Sequence, residues 1–233
     1  MDIDALIPAR GGSKRIPGKN MKLLNGMPLV YWTIKAAKEA GIFRRVVVST
    51  EDAEIKEFCE QYCEVVDRPV EFAADDSPDI EWVSHFLSNY THSDDFMVLR
   101  PTSPFRTVSS ICDAESYYDN GYTSSVRTVT AVSQHPLKTW MFAGGKYFIK
   151  PFVDYGKING HEPHTLPYCN LPLLFIQTGS IEVSNINNVF DLKDISGATV
   201  GPLFSFGPEA HDLNTPEDWV IAEWYLKEGM VTL

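Results

Sequence analysis

Four basic side chains, three glycines and two prolines crowd into the fourteen residues Ile7-Pro8-Ala9-Arg10-Gly11-Gly12-Ser13-Lys14-Arg15-Ile16-Pro17-Gly18-Lys19-Asn20. Such a run neither packs as a helix nor extends as a strand, and its chemistry is anion binding. Glycines let successive backbone N–H groups turn inward with no Cβ in the way, and Arg10, Lys14, Arg15 and Lys19 can neutralise phosphate oxygens. On a chain of 233 residues with net charge −11, this is a local reversal of sign. The glycines match neither the G-x-G-x-x-G dinucleotide fingerprint nor the G-x-x-x-x-G-K-[ST] P-loop, which leaves a third kind of phosphate loop. Taken alone, the run could also be a solvated basic turn between a strand and a helix.

Other reactive residue types are sparse. Cys59 and Cys63 stand at i, i+4, but no second Cys or His pair stands at ligand spacing, so the four cysteines read as reduced, helix-packing thiols. The acidic excess argues against nucleic-acid binding and leaves a small anion as the natural partner of the one basic loop. With no apolar run of about 18 residues and a Met-Asp-Ile-Asp start, no membrane span or export signal is expected, and the cytoplasm is the expected compartment.

The elements that must position the loop follow an α/β rhythm. The alternation Ile3, Ala5, Ile7 predicts a first strand, 28–40 a helix closed by Gly41, and 45–49 a buried parallel strand. Helices are expected at 52–62, 80–90, 108–117 and 217–228, and strands at 64–66, 96–99, 123–129, 175–183 and 199–206. Thr215-Pro216-Glu217-Asp218 reads as a helix start with Thr215 as N-cap. The order implies right-handed crossovers and a doubly wound, mostly parallel sheet with ligands beyond the carboxyl ends of its strands, where the basic loop lies. With 44% apolar residues, one domain spanning 1–233 is expected. Its stretch 133–174, broken by prolines and rich in aromatics, is expected to be an extension with short hairpin strands that packs on a second subunit.

The loop resembles the signature A-R-x-x-S-K-x-x-x-x-K-N of the CMP-sugar synthetases, in particular the acylneuraminate cytidylyltransferases, through Ala9, Arg10, Ser13, Lys14, Lys19 and Asn20. Further similar segments follow in family order: Val47-Val48-Ser49-Thr50, Arg68-Pro69, Arg100-Pro101-Thr102-Ser103-Pro104-Phe105-Arg106, His135-Pro136-Leu137-Lys138-Thr139 and Asp212-Leu213-Asn214-Thr215. The resemblance implies a Rossmann-like, glycosyltransferase-A-like nucleotidyltransferase that forms a homodimer through its arm. It further implies transfer of CMP from CTP to the anomeric hydroxyl of a nonulosonic, sialic-acid-like keto acid sugar, with release of pyrophosphate.

Residue by residue, the resemblance implies that Arg10, Lys14 and Lys19 meet the triphosphate. Ala9, Gly11, Ser13, Asn20, Arg68 and Ser77 complete the nucleotide site, with Arg68 reading the base. Magnesium would be held by Asp212 and Asn214, although the family pattern D-x-D-T carries a second carboxylate where this chain has Asn214. Acceptor contacts fall on Arg100, Thr102, Ser103, Tyr168, Phe175 and Gln177. Arg100 stands where a sugar-binding glutamine is usual, and the arginines that commonly flank the later acceptor segment are missing. Arg100 is therefore expected to pair the acceptor carboxylate. A nucleotidyltransferase acting on a sugar phosphate, or a silent nucleotide-binding protein, remains open at this point.

Overall fold

The computed structural model describes residues 2–144 and 147–233. Residues 1–129 with 177–233 form one compact unit and residues 130–176 a second. The first unit is built from β1 (Ile3–Pro8), α1 (Leu29–Ala40), β2 (Arg45–Thr50), α2 (Ala53–Cys59), β3 (Glu64–Asp67), α3 (Asp79–Asn89), β4 (Asp95–Leu99) and α4 (Val108–Asp119). It is completed by β5 (Ser125–Ala131) and β6 (Phe175–Asn185), whose residues 130–131 and 175–176 fall in the second unit, and by α5 (Ile186–Phe190), β7 (Val200–Phe204) and α6 (Pro216–Lys227). The strands make one seven-stranded sheet in the order β3-β2-β1-β4-β6-β5-β7. The four strands from β3 to β4 run parallel, β6 is antiparallel to β4 with Ile181 opposite Leu99, and β7 is parallel to β5. The expected mostly parallel α/β sheet is present.

Its double winding is written in the alternation of single strands. Ile3, Ala5 and Ile7 of β1, Val48 of β2 and Met97 and Leu99 of β4 join Val30, Ile34 and Ile111 of α1 and α4 in one buried cluster. Their sequence neighbours Leu6, Val47, Phe96 and Val98 face the opposite way, against Trp82, Val83 and Phe86 of α3. Successive side chains of a strand point to opposite faces, so apolar residues at every position are what a sheet covered on both sides requires. Each large apolar side chain so buried contributes about 1.5–3 kcal/mol relative to exposure. The one charge inside β1, Asp4, is fully buried, and Arg44 and the Ser93 N–H satisfy it at 3.0 and 2.8 Å.

A third, smaller cluster matters most for function. Ile16 of the basic loop, Leu24 and Leu29, Trp32 of α1, Phe105, Leu213 and Trp219 of α6 are buried together. The predicted α6 start is as expected: the Thr215 hydroxyl accepts from the Asp218 N–H, and the Asp218 carboxylate accepts from the Thr215 and Asn214 N–H groups at 2.7 and 2.9 Å. The short α5, between the predicted strands, had no distinct sequence periodicity.

The second unit contains the antiparallel hairpin Trp140–Phe142 with Ile149–Pro151 and three short 3-10 turns. The expected extension at 133–174 lies within its bounds. His135 caps one turn by accepting from the Leu137 N–H, and Lys138 donates to the carbonyls of His164 and Leu166. No helix of the described residues is long and apolar enough to cross a membrane.

Burial works against the charged form of Asp218, but the N–H groups of Thr215 and Asn214 outweigh it and hold the carboxyl below its ordinary range. A depressed folded value means stability that is complete above the unfolded carboxylate's ~3.9 and is lost as pH falls through the folded value. T215A is expected to cost about 0.5–2 kcal/mol in urea unfolding at neutral pH. D218N is expected to flatten the acid limb of the stability profile, and an unchanged limb would contradict this account of the cap.

Candidate active site

The basic loop leaves β1 at its carboxyl end and is tied down before it can bind anything. Ala9 extends the sheet by donating its N–H to the Ser49 carbonyl at 3.0 Å. Asn20, 6% exposed, donates through its side-chain amide to the Arg10 carbonyl at 2.8 Å, closing the loop on itself. Gly18 turns the chain at φ 62, a left-handed conformation that favours glycine. Gly11 gives its N–H to Glu51 at 2.8 Å, and a Cβ placed on it would collide with the Asp52 carboxylate.

Around the loop is a cleft of about 280 Å³ lined by Arg10, Ser13, Lys14, Arg15, Lys19 and Asn20. Arg68, Ser77, Asp79, Trp82, Arg100 and Thr102 line the same cleft. Arg10 donates to the carbonyls of Ala73 and Ala74 and pairs with Asp75 at 2.9 Å; Lys14 pairs with the same carboxylate. The bonded Lys14 ammonium holds Asp75 below the usual carboxylate range despite its exposure. Burial lowers the Lys19 pKa against the opposing pull of Asp212, and its ammonium donates to the Leu213 carbonyl at 2.8 Å. Arg68 is 6% exposed, donates twice to Ser49, and lies 4.9 Å from the Trp82 ring centre; burial brings its pKa down to about 10. It is thus no surface arginine. The Ser77 hydroxyl donates to Glu81 at 2.5 Å.

A second cleft, of about 520 Å³, opens from the same wall and is lined by Arg127, Gln177, Gly179, Glu182, Lys193, Asp212 and Asn214 among others. Asp79, Arg100 and Thr102 line both clefts. Arg100 is gripped there by Asp79 and, at 2.6 Å, by Glu182, and it donates to the Gly179 carbonyl at 3.1 Å. Burial alone would lower its pKa; Glu182 and Asp79 outweigh that and hold it above the ordinary arginine value. Below it, the fully buried Arg106 donates to the carbonyls of Ser180 and Arg100 at 3.0 and 2.7 Å, with its pKa pushed down to about 9 by burial.

The Asp212–Asn214 turn lines the second cleft. Asp212 Oδ1 is buried with no hydrogen-bond partner among the described residues, while Oδ2 accepts from the Asn214 amide. Asn214 Oδ1 accepts from Arg15 at 3.1 Å, so both ends of the amide are engaged. Among the described residues, no group of three or more His, Cys, Asp or Glu side chains is placed to hold a metal. Magnesium commonly takes one or two protein carboxylates and fills its shell with water and phosphate oxygens, and the unpartnered Asp212 Oδ1 is a donor of that chemistry.

Of the sequence-predicted residues, Arg10, Ser13, Lys14, Lys19, Asn20, Arg68 and Ser77 line the first cleft and Gln177, Asp212 and Asn214 the second. Ala9 and Gly11 support the loop from beneath, and Ser103 is 1% exposed and lines neither cleft. Tyr168 and Phe175 belong to the second unit, where Tyr168 packs on the His135 ring and under Lys138. Sequence reading missed Glu51, Asp75, Arg127 and Glu182. Lone charges inside the apolar strands β5 and β6 were the available signal for the last two.

A mostly parallel α/β sheet with a cationic loop at the carboxyl end of its first strand is suited to holding a nucleotide's phosphates. The cytidylyltransferase family model matches residues 5–141. Across 96% of this chain and 95% of the relative, the sequence is 33% identical to the CMP-N,N'-diacetyllegionaminic acid synthase of Legionella pneumophila. It is 39% identical to the N-acylneuraminate cytidylyltransferase of Escherichia coli over 50% of this chain and 28% of that one. The chain belongs to the cytidylyltransferase family and is an enzyme. A CMP:2-keto-3-deoxy-manno-octonic acid synthetase structure with CTP matches with TM-score 0.70, covering 98% of this chain and 100% of the other at 13% identity. The 4-diphosphocytidyl-2C-methyl-D-erythritol synthase of Anaerococcus prevotii matches with TM-score 0.65 at 12% identity, covering 97% and 98%. At those identities the likeness is one of fold.

Because Asp52 both crowds Gly11 and caps α2 by accepting from the N–H groups of Glu54 and Ile55, G11A is expected to displace the cap. The thermal midpoint and CTP affinity should fall together in G11A, measured by calorimetry. A midpoint and affinity equal to the parent's would mean the close approach is without consequence.

Proposed function

We propose that the protein joins CMP from CTP to the anomeric hydroxyl of a nine-carbon keto acid sugar, an N-acylated nonulosonate of the class named for the Legionella relative, and releases pyrophosphate. The observation that carries this reading is the common wall. A cleft rich in phosphate-binding cations and a larger cleft with polar and acidic groups share Asp79, Arg100 and Thr102. An α-phosphorus on one side and an acceptor hydroxyl on the other would meet there.

In this reading the acceptor oxygen bonds to the α-phosphorus as the in-line bond from that phosphorus to the bridging oxygen of the β-phosphate breaks, pyrophosphate takes the bonding electrons, and the hydroxyl proton passes to solvent water. Arg10, Lys14 and Lys19 neutralise the charge that grows on the pyrophosphate; Arg10 and Lys19 are held in advance by backbone carbonyls, and preorganised groups are the most effective. For Arg10 and Lys14, the triphosphate takes the place of Asp75. Lys19 is fixed by the Leu213 carbonyl and desolvated, so its charge acts through a low dielectric. Arg68, stacked on Trp82 in the same cleft, faces the base.

Asp212, through its unpartnered Oδ1, would hold magnesium, which supplies further positive charge to the phosphates when bound. Asn214 orients Asp212 and links it to Arg15. The second unit exposes Phe142, Phe148, Phe152 and Tyr155. These suit an apolar contact with a second copy, so a homodimer is part of the proposal.

Pyrophosphate release measured across the four ribonucleotides with a panel of keto acid sugars and sugar phosphates tests the reading. CTP with a keto acid sugar is expected to be the productive pair, and turnover of sugar phosphates alone would overturn it. K19A is expected to lose on the order of 100-fold in turnover; a variant within roughly threefold of the parent removes the loop from the chemistry. D212N is expected to abolish manganese binding followed by electron paramagnetic resonance, and unchanged binding would place the metal elsewhere.

A further inference from the structure

Three cations line the larger cleft: Arg100, Arg127 and Lys193. Arg100, expected from sequence to pair the acceptor carboxylate, has both terminal nitrogens committed. One faces Asp79 and the other faces Glu182 and the Gly179 carbonyl. Drawing it away would strand Glu182, whose side chain is 4% exposed, with a poorly compensated buried charge.

The ion pairs form a chain of alternating sign, Asp79, Arg100, Glu182, Arg127. Each inner member serves two neighbours, and Arg127 stands at the cationic end. Its Nη1 meets Glu182 at 3.3 Å and donates to Gln177 Oε1 at 2.9 Å. Among the described residues, no hydrogen bond or ion pair engages its Nη2 or Nε. Lys193, exposed at the edge of the same cleft, is held at φ 56 and has no ion-pair partner among the described residues. A left-handed backbone at a non-glycine residue is a local cost that clusters at ligand-binding positions. Of the remaining carboxylates of the cleft, Asp194 accepts from the Ser196 N–H at 3.1 Å, and Asp212 accepts from Asn214 through Oδ2 while its Oδ1 is the oxygen assigned to the metal.

We infer that Arg127 and Lys193 receive the carboxylate of the acceptor, and that Arg100 is a positioning residue which holds the wall between the two clefts. The assignment rests on the keto acid reading of the larger cleft. Arg127 offers the planar fork that matches a carboxylate, its orientation set by Glu182 and Gln177. Lys193 adds a mobile point charge from the rim.

Steady-state kinetics with the best keto acid sugar and with its C1 carboxamide test the assignment. The parent enzyme should prefer the acid by about 10- to 100-fold, the range of a charge-assisted pair. R127Q should raise KM for the acid about tenfold, leave KM for CTP within about twofold, and erase the preference for acid over amide. K193Q should do so in part, R127K should lie between parent and R127Q, and R100Q should keep the preference whatever happens to its turnover. CTP titration calorimetry verifies that R127Q is folded; if it is not, K193Q decides. Preference retained in R127Q and K193Q, or lost only in R100Q, overturns the assignment and leaves the functional reading standing. A parent enzyme that turns over no keto acid sugar overturns that reading, and this assignment with it.

Discussion

The site depends on where Leu213 is buried. With 0% exposure it sits in the small core with Ile16, Trp32, Phe105 and Trp219. Its backbone is the junction of three segments: the N–H donates to the Thr102 carbonyl at 2.8 Å, and the carbonyl accepts from Lys19 at 2.8 Å. One apolar side chain therefore positions the phosphate loop, the wall between the clefts and the Asp212 turn relative to one another. Close-packed interiors transmit small displacements, so a change of core volume here would reach all three.

Electrostatics are arranged in advance around that junction. Burial lowers the pKa of Lys19 and Arg68, and each is offset by nearby carboxylates, Asp212 for the first and Glu51 and Asp79 for the second. The exposed end of the loop keeps Asp75 against Arg10 and Lys14, an arrangement that solvent screens and a polyphosphate can displace. By contrast, Arg100 bridges Asp79, whose side chain is 42% exposed, to Glu182 at 4%, so removing Arg100 would leave the Glu182 charge buried and poorly compensated. Solvent-screened pairs line the first cleft, and a less exposed chain of pairs forms the wall it shares with the second.

Much of the fold was legible because its signals are local. Continuous apolar strands such as Phe96-Met97-Val98-Leu99, the glycine after α1 and the Thr215 cap each act within a few residues, and each lies in the structure within a residue or two of its expected place. Contacts that join distant segments were not legible. Arg100 looked like a free guanidinium because the nearest acids in sequence, Asp94 and Asp95, stand at the opposite end of β4, yet its partners Asp79 and Glu182 lie 21 and 82 residues away. Gly11 read as a phosphate-facing amide, but its N–H is taken by Glu51, 40 residues on.

By itself the amino-acid order determined the element types, the mostly parallel sheet and the presence of a cationic loop after its first strand, since periodicity, caps and glycine placement are properties of neighbours in the chain. Only the tertiary structure decided which charges are already paired, that Asp212 keeps an unpartnered oxygen beside Lys19, and that one arginine wall divides two clefts. Those depend on burial and on carboxylates brought in from other strands and loops, and desolvation has no signature in a linear string.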